Sequence, residues 1–143
     1  MKTKLKPIKI KELMKKYVDN DEEGVRGYSN RLNIRPPYQR EFVYKKEQEK
    51  KVIETVMNKH PLNSMYWGIN RDDTFELMDG QQRTLSICRF VNGDFFIDTP
   101  TVVKYFDNLT PDEQNKILNY ELTVYLCEGS EIEKLDWIRT INT

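Results

Sequence analysis

The chain has 143 residues, 38% hydrophobic and 32% charged, with acidic and basic side chains in equal number. That length supplies a single core and a single domain, and a net charge of zero removes any overall bias towards polyanions. No run is long and apolar enough to cross a membrane, and the charged start lacks the apolar segment of a secretory signal, so a cytoplasmic protein is expected.

Lys2, Lys4, Lys6, Lys9, Lys11, Lys15 and Lys16 crowd the N-terminus, a pattern met more often in a solvated end than in a nucleic-acid contact. Residues 7–10 alternate apolar and polar and predict a short edge strand. Residues 12–18 place Leu13, Met14, Tyr17 and Val18 on one helical face. Residues 19–29 are polar, carry Gly24 and Gly27, and read as a loop. Residues 31–34 are extended. In residues 35–44 two prolines stiffen the chain, and Tyr38, Phe42 and Tyr44 surround Gln39 and Arg40. Such a segment suits the wall of a ligand pocket, although a loop with its aromatics on the core is the commoner outcome.

Residues 46–59 form the clearest helix, with Val52, Ile53, Val56 and Met57 on one face and charges on the other. His60-Pro61 stops it. His60 is the only histidine, so two-histidine metal motifs and a histidine-based nuclease site are excluded within the chain. Residues 64–70 and 74–78 predict a hairpin around Arg71-Asp72-Asp73, and a helix follows from 80 to about 91. Asn92-Gly93-Asp94 is a turn, with a short strand expected at 95–97. Thr110-Pro111-Asp112-Glu113 and Ser130 to Glu133 each carry the signature of a capped helix start. A strand at 122–126 lies between them. Cys88 and Cys127 sit in apolar patterns and are expected as buried thiols. The sum is an α+β domain with interleaved helices and strands.

The chemistry concentrates at Asp79-Gly80-Gln81-Gln82-Arg83. A strand that turns into a helix through a glycine presents unpaired N–H groups and the positive end of the helix at one point, the usual setting of an anion site. Arg83 lies about one turn into the helix, and Asp79 precedes the glycine, where it can hold a metal ion or polarise a water. The plain alternative is an Asp-Gly turn that caps a helix, with Arg83 a surface charge.

Pro37-Tyr38-Gln39-Arg40 with a following aromatic, a helix closed by Pro61, a hairpin, the Asp79–Arg83 run, and Asp136-Trp137-Ile138-Arg139-Thr140-Ile141-Asn142 occur in that order. Together they resemble the N-terminal domain of GmrSD-type restriction proteins over residues 8–142. The resemblance implies a ParB/sulfiredoxin-like fold, a small mixed sheet with interleaved helices. It also implies binding and hydrolysis of nucleoside triphosphates, coupled to restriction of modified or foreign DNA in phage defence. Carried over by position, Asp79 and Arg83 are the catalytic candidates. Gly80, Gln81 and Gln82 would line the phosphates, with Tyr38, Gln39 and Arg40 opposite and Arg139 and Asn142 from the third motif. Mg²⁺ is the expected cofactor, with Asp79 its candidate ligand.

Tyr44 stands where the family commonly has tryptophan. The chain ends at Asn142-Thr143, where the family continues, so residues 1–143 are expected to be one domain and an N-terminal fragment. Expected partners are the nucleoside triphosphate, DNA through the full-length protein, and a second copy or a nuclease domain. The competing function is a ParB-like module that binds nucleotide or DNA without turnover.

Overall fold

The structure, a computed structural model, describes residues 1–35, 44–98 and 103–141. A seven-stranded mixed sheet organises them. Its strands are β1 (Lys2–Lys9), β2 (Val18–Asp19), β3 (Val25–Gly27), β4 (Leu32–Arg35), β5 (Met65–Ile69), β6 (Phe75–Asp79) and, last in the chain, β9 (Glu121–Glu128). Their spatial order is β1-β9-β5-β6-β4-β3-β2. β5 and β6 form the expected antiparallel hairpin, while β4 runs parallel to β6 and β5 parallel to β9. β7 (Ile97–Asp98) and β8 (Val103–Lys104) make a separate two-stranded ribbon. The α+β expectation holds.

The helices are α1 (Ile10–Leu13), α2 (Lys46–Met57), α3 (Gln81–Val91), α4 (Pro111–Leu118) and α5 (Glu131–Ile141). Strand alternation sorts them between two faces. Met65 and Trp67 of β5 are buried with Leu122 and Val124 of β9, under Ile53 and Val56 of α2, Leu85 and Cys88 of α3 and Ile117 of α4. Tyr66, pointing the other way, stacks on Tyr125 at 5.5 Å and meets the edge of Trp137 of α5 at 5.8 Å. Three helices therefore cover one face and α5 the other. Cys88 and Cys127 are buried thiols, and burial pushes both upward in pKa.

α2 and α3 are tied by Arg89, whose Nη1 meets Glu49 Oε2 at 2.7 Å. Burial raises the pKa of Glu49, and the guanidinium of Arg89 opposes that shift. The exposed ring of residues around His60 is held by Tyr120, whose hydroxyl donates to His60 O at 2.6 Å and accepts from Leu62 N at 3.1 Å. His60 thus enters through its backbone, in keeping with a structural role.

The N-terminal third departs from the sequence reading. The edge strand runs over Lys2–Lys9 rather than 7–10, paired along its length with β9. The helix expected over 12–18 is a single turn, because other backbone groups claim its carbonyls. Tyr28 N donates to Leu13 O and Ser29 N to Lys15 O, each at 2.8 Å, and Lys16 is left-handed at φ 54°. The loop expected over 19–29 contains β3 and part of β2, joined through Gly24 at φ 103°. Gly27 is needed at that contact, since a Cβ there would lie 2.7 Å from Leu13 O. The strand expected at 95–97 is displaced to Ile97–Asp98.

Candidate functional site

The hairpin delivers Asp79 at the end of β6, and α3 begins two residues later. The β5–β6 register shifts between Tyr66 and Trp67, so Tyr66 faces Asp79 while Trp67 faces Leu77. The extra residue, Met78, breaks the alternation beside Asp79, the kind of irregularity that re-aims a side chain at a strand end. Gly80 makes the joint. It is the N-cap of α3 at φ 99°, ψ 17°, a left-handed conformation that favours glycine. A Cβ at Gly80 would also lie 2.8 Å from Met65 Cγ and 3.3 Å from Arg83 Nη2. The missing side chain is what lets the guanidinium fold back over the joint.

Arg83 does not project from its helix into water. Its Nη2 donates to Ser64 O at 3.1 Å and lies 3.9 Å from Asp79 Oδ2, and its Nε is buried with no hydrogen-bond partner among the described residues. Its side chain is 19% exposed and that of Asp79 32%. Apart from that distant guanidinium, no group among the described residues engages the Asp79 carboxylate, which keeps its acceptor capacity. Thr84, the next residue, closes the first turn. Both its N–H and its hydroxyl donate to Gly80 O, at 2.9 and 2.8 Å. The N–H groups ahead of it have no intrahelical acceptor, as at any helix start.

The two glutamines do something the sequence did not suggest. Gln81 Nε2 donates to Ile34 O at 3.0 Å, and Gln82 Oε1 accepts from Tyr44 N at 3.2 Å. Their side chains therefore hold the two flanks of the segment that carries Tyr38, Gln39 and Arg40. Those three residues, and Asn142, lie outside the described residues.

Arg139 lies on α5. Its side chain is 70% exposed on α5 and its ion-pair partner is Asp136, at 4.0 Å, with no bond to Asp79 or Arg83. Asp79, Gly80, Gln81, Gln82 and Arg83 sit together at the joint, and Ile138, beside Arg139 on α5, lines a cavity with Met78 and Gln81. Ser64 and Met65 join the site without a sequence signal of their own, because the antiparallel hairpin sets the start of β5 beside the end of β6.

For a divalent ion the described residues of the site offer one carboxylate, Asp79. No cluster of three or more histidine, cysteine or acidic residues occurs among the described residues. One carboxylate fits the manner in which Mg²⁺ is commonly held, by a single protein oxygen together with substrate phosphates and water. It does not fit an all-protein cage.

The described residues thus form a mixed α+β domain with a glycine joint between strand and helix, flanked by a carboxylate and a folded-back arginine. The model of the GmrSD restriction endonuclease N-terminal domain matches residues 11–142. The chain belongs to that family and is a domain of a restriction system. No curated protein and no solved structure matches it. No helix among the described residues is long and apolar enough to cross a membrane.

Proposed function

We propose that the chain binds a nucleoside triphosphate at the Gly80 joint and hydrolyses it, as a ParB-like nucleotide module of a restriction system. The observation that supports this reading is the juxtaposition of the α3 start, the Arg83 guanidinium and a carboxylate with acceptor capacity, Asp79, within one turn of chain. The N–H groups of α3 and the positive end of its dipole receive phosphate oxygens. Arg83 turns a short way from Ser64 O to meet charge that develops on the transferred phosphoryl group. Asp79 orients the attacking water. That water adds to phosphorus and gives up a proton to solvent, the phosphoanhydride bond breaks, and the leaving phosphate group takes the bonding electrons. Asp79 is the residue that would hold Mg²⁺, which would further neutralise the charge on the phosphates.

Phosphate release from each of the four nucleoside triphosphates with Mg²⁺ tests the reading. Asp79→Asn and Arg83→Ala are expected to lose on the order of 10²–10³ in rate. Release no faster from the parent chain than from Asp79→Asn would sink it. One observation favours the alternative, a module that binds without turnover: the guanidinium of Arg83 is already engaged by Ser64 O. Saturable nucleotide binding with no product would select that reading.

A further inference from the structure

Residues opposite one another in an antiparallel pair share a face of the sheet. Asp79, opposite Tyr66, and Glu76, opposite Gly68, therefore lie on the side that α5 covers. A cavity of about 380 Å³ occupies that side, walled by β5, β6, α5 and the first residue of α3. Met78 and Gln81, the chain neighbours of Asp79 and Gly80, are part of its wall, so the cavity adjoins the Gly80 joint. Its floor is Gly68. A Cβ there would lie 3.1 Å from Lys134 Cδ and 3.3 Å from Met78 Sδ, so the missing side chain leaves the space.

The two ends of the cavity differ. Lys134 lies over Gly68 with its side chain 9% exposed, and its Nζ is 3.0 Å from Glu131 Oε1 and 3.4 Å from Ile69 O. An ammonium has three donors, and these contacts leave one. Glu76 is the strand partner of Gly68, and its carboxylate has no hydrogen bond or ion pair among the described residues. Glu76 and Lys134 thus meet around one glycine, a carboxylate with full acceptor capacity beside an ammonium with a donor to spare. From there α5 runs towards the joint, since Lys134 is beside Ile69 and Trp137 beside Tyr66. In that direction the walls turn apolar through Met78, Leu135 and Ile138.

We propose that this cavity takes the base of the nucleoside triphosphate, and that Glu76 and Lys134 select guanine. The assignment rests on the nucleotide reading above and adds the base to it. Apolar walls with a few convergent polar groups suit a flat ring with a polar edge. An ionised carboxylate only accepts, through two oxygens. Among the four bases, guanine alone sets two donors side by side, N1–H and the 2-amino group, so that both oxygens of Glu76 are met. Its neighbouring O6 then accepts from Lys134. Adenine and cytosine each put a single amine beside a ring acceptor, and uracil puts one N–H between two carbonyls. Glu76 stands four residues before Gly80, about 13 Å along a strand, which an extended nucleotide spans from base edge to outer phosphates.

Isothermal titration calorimetry of the whole chain with Mg²⁺ and GDP, IDP, ADP, CDP or UDP tests the assignment. IDP differs from GDP only in lacking the 2-amino group, and loss of one hydrogen bond to a charged group should weaken it on the order of 10- to 100-fold. ADP, CDP and UDP should bind more weakly than GDP. Glu76→Gln, at an exposed position, should lose the preference for GDP over IDP, because an amide offers one acceptor and one donor where the carboxylate offers two acceptors. Gly68→Val, which fills the floor, should weaken all five, with its unfolding midpoint showing that the fold is kept. Equal affinity for GDP and IDP would overturn the guanine assignment while leaving the nucleotide reading in place. So would a GDP preference that survives Glu76→Gln, or full affinity in a folded Gly68→Val. Saturable binding of none of the five would overturn both.

Discussion

Gly80 is the residue on which the site turns. Its left-handed backbone and its contact with Met65 act together, whereas Gly93, also left-handed at φ 88°, has nothing within 4 Å of its Cβ position. The two glycines therefore separate backbone strain from crowding. Gly93→Ala is expected to cost about 1–2 kcal/mol, and Gly80→Ala about 3 kcal/mol, because displacing Met65 adds to the strain. Urea denaturation of the two variants measures the difference, and equal midpoints would show that Met65 yields freely. At this scale the sequence was informative about the joint, since an Asp-Gly between a strand pattern and a helix pattern has few conformations. It was silent about where Arg83 goes. Ser64, which accepts from that guanidinium, is 19 residues away in the chain, and only hairpin pairing brings it near.

At the scale of elements, the two capping signatures formed as read. Glu113 N donates to Thr110 Oγ1 at 3.2 Å while Thr110 N donates to Glu113 Oε1 at 2.9 Å, and Ser130 with Glu133 repeats the exchange at 3.2 and 3.0 Å. These boxes are local, within four residues, so local sequence suffices to specify them. Glu133 has a second task. The Met1 ammonium bonds to its carboxylate and, with the backbone N–H of Ser130, holds its pKa down at about 2. A carboxylate depressed in the folded state favours folding above its ordinary value of 4.5, and that contribution is lost as the pH falls through about 2. An NMR titration of the Glu133 carboxyl carbon should find its midpoint near 2. A midpoint in the ordinary carboxylate range would refute the tether between β1 and α5. The helix expected at 12–18 fails for the opposite reason, since its amphipathic pattern is sound but Tyr28 and Ser29 take its carbonyls from outside.

Across the whole molecule, Trp67 is the centre of the packing. It lies on β5, an interior strand of the seven, fully buried, with Tyr28 at 5.2 Å and Phe75 at 5.7 Å. Its Nε1 is buried without a hydrogen-bond partner among the described residues. Trp67→Ala is expected to cost about 3–5 kcal/mol through the cavity it leaves. Trp67→Phe should cost much less, because it removes an unsatisfied donor along with part of the ring. Equal unfolding midpoints for the two variants would show that the indole is not packed as described.

Periodicity, caps and turn residues determined by themselves the hairpin, the helices α2, α3 and α4 and the strand–glycine–helix joint, and the order of short motifs carried the resemblance to the family that the match over residues 11–142 shows. All of these depend on residues within a few positions of one another or on the order of short motifs. Tertiary structure alone decided that a lysine-rich start is a paired edge strand and that Gln81 and Gln82 hold the flanks of residues 35–44. It also decided that Arg83 folds back to Ser64 while the side chain of Arg139 is exposed on α5. Each is settled by a partner distant in sequence, and strand register, which local propensity does not encode, chooses that partner.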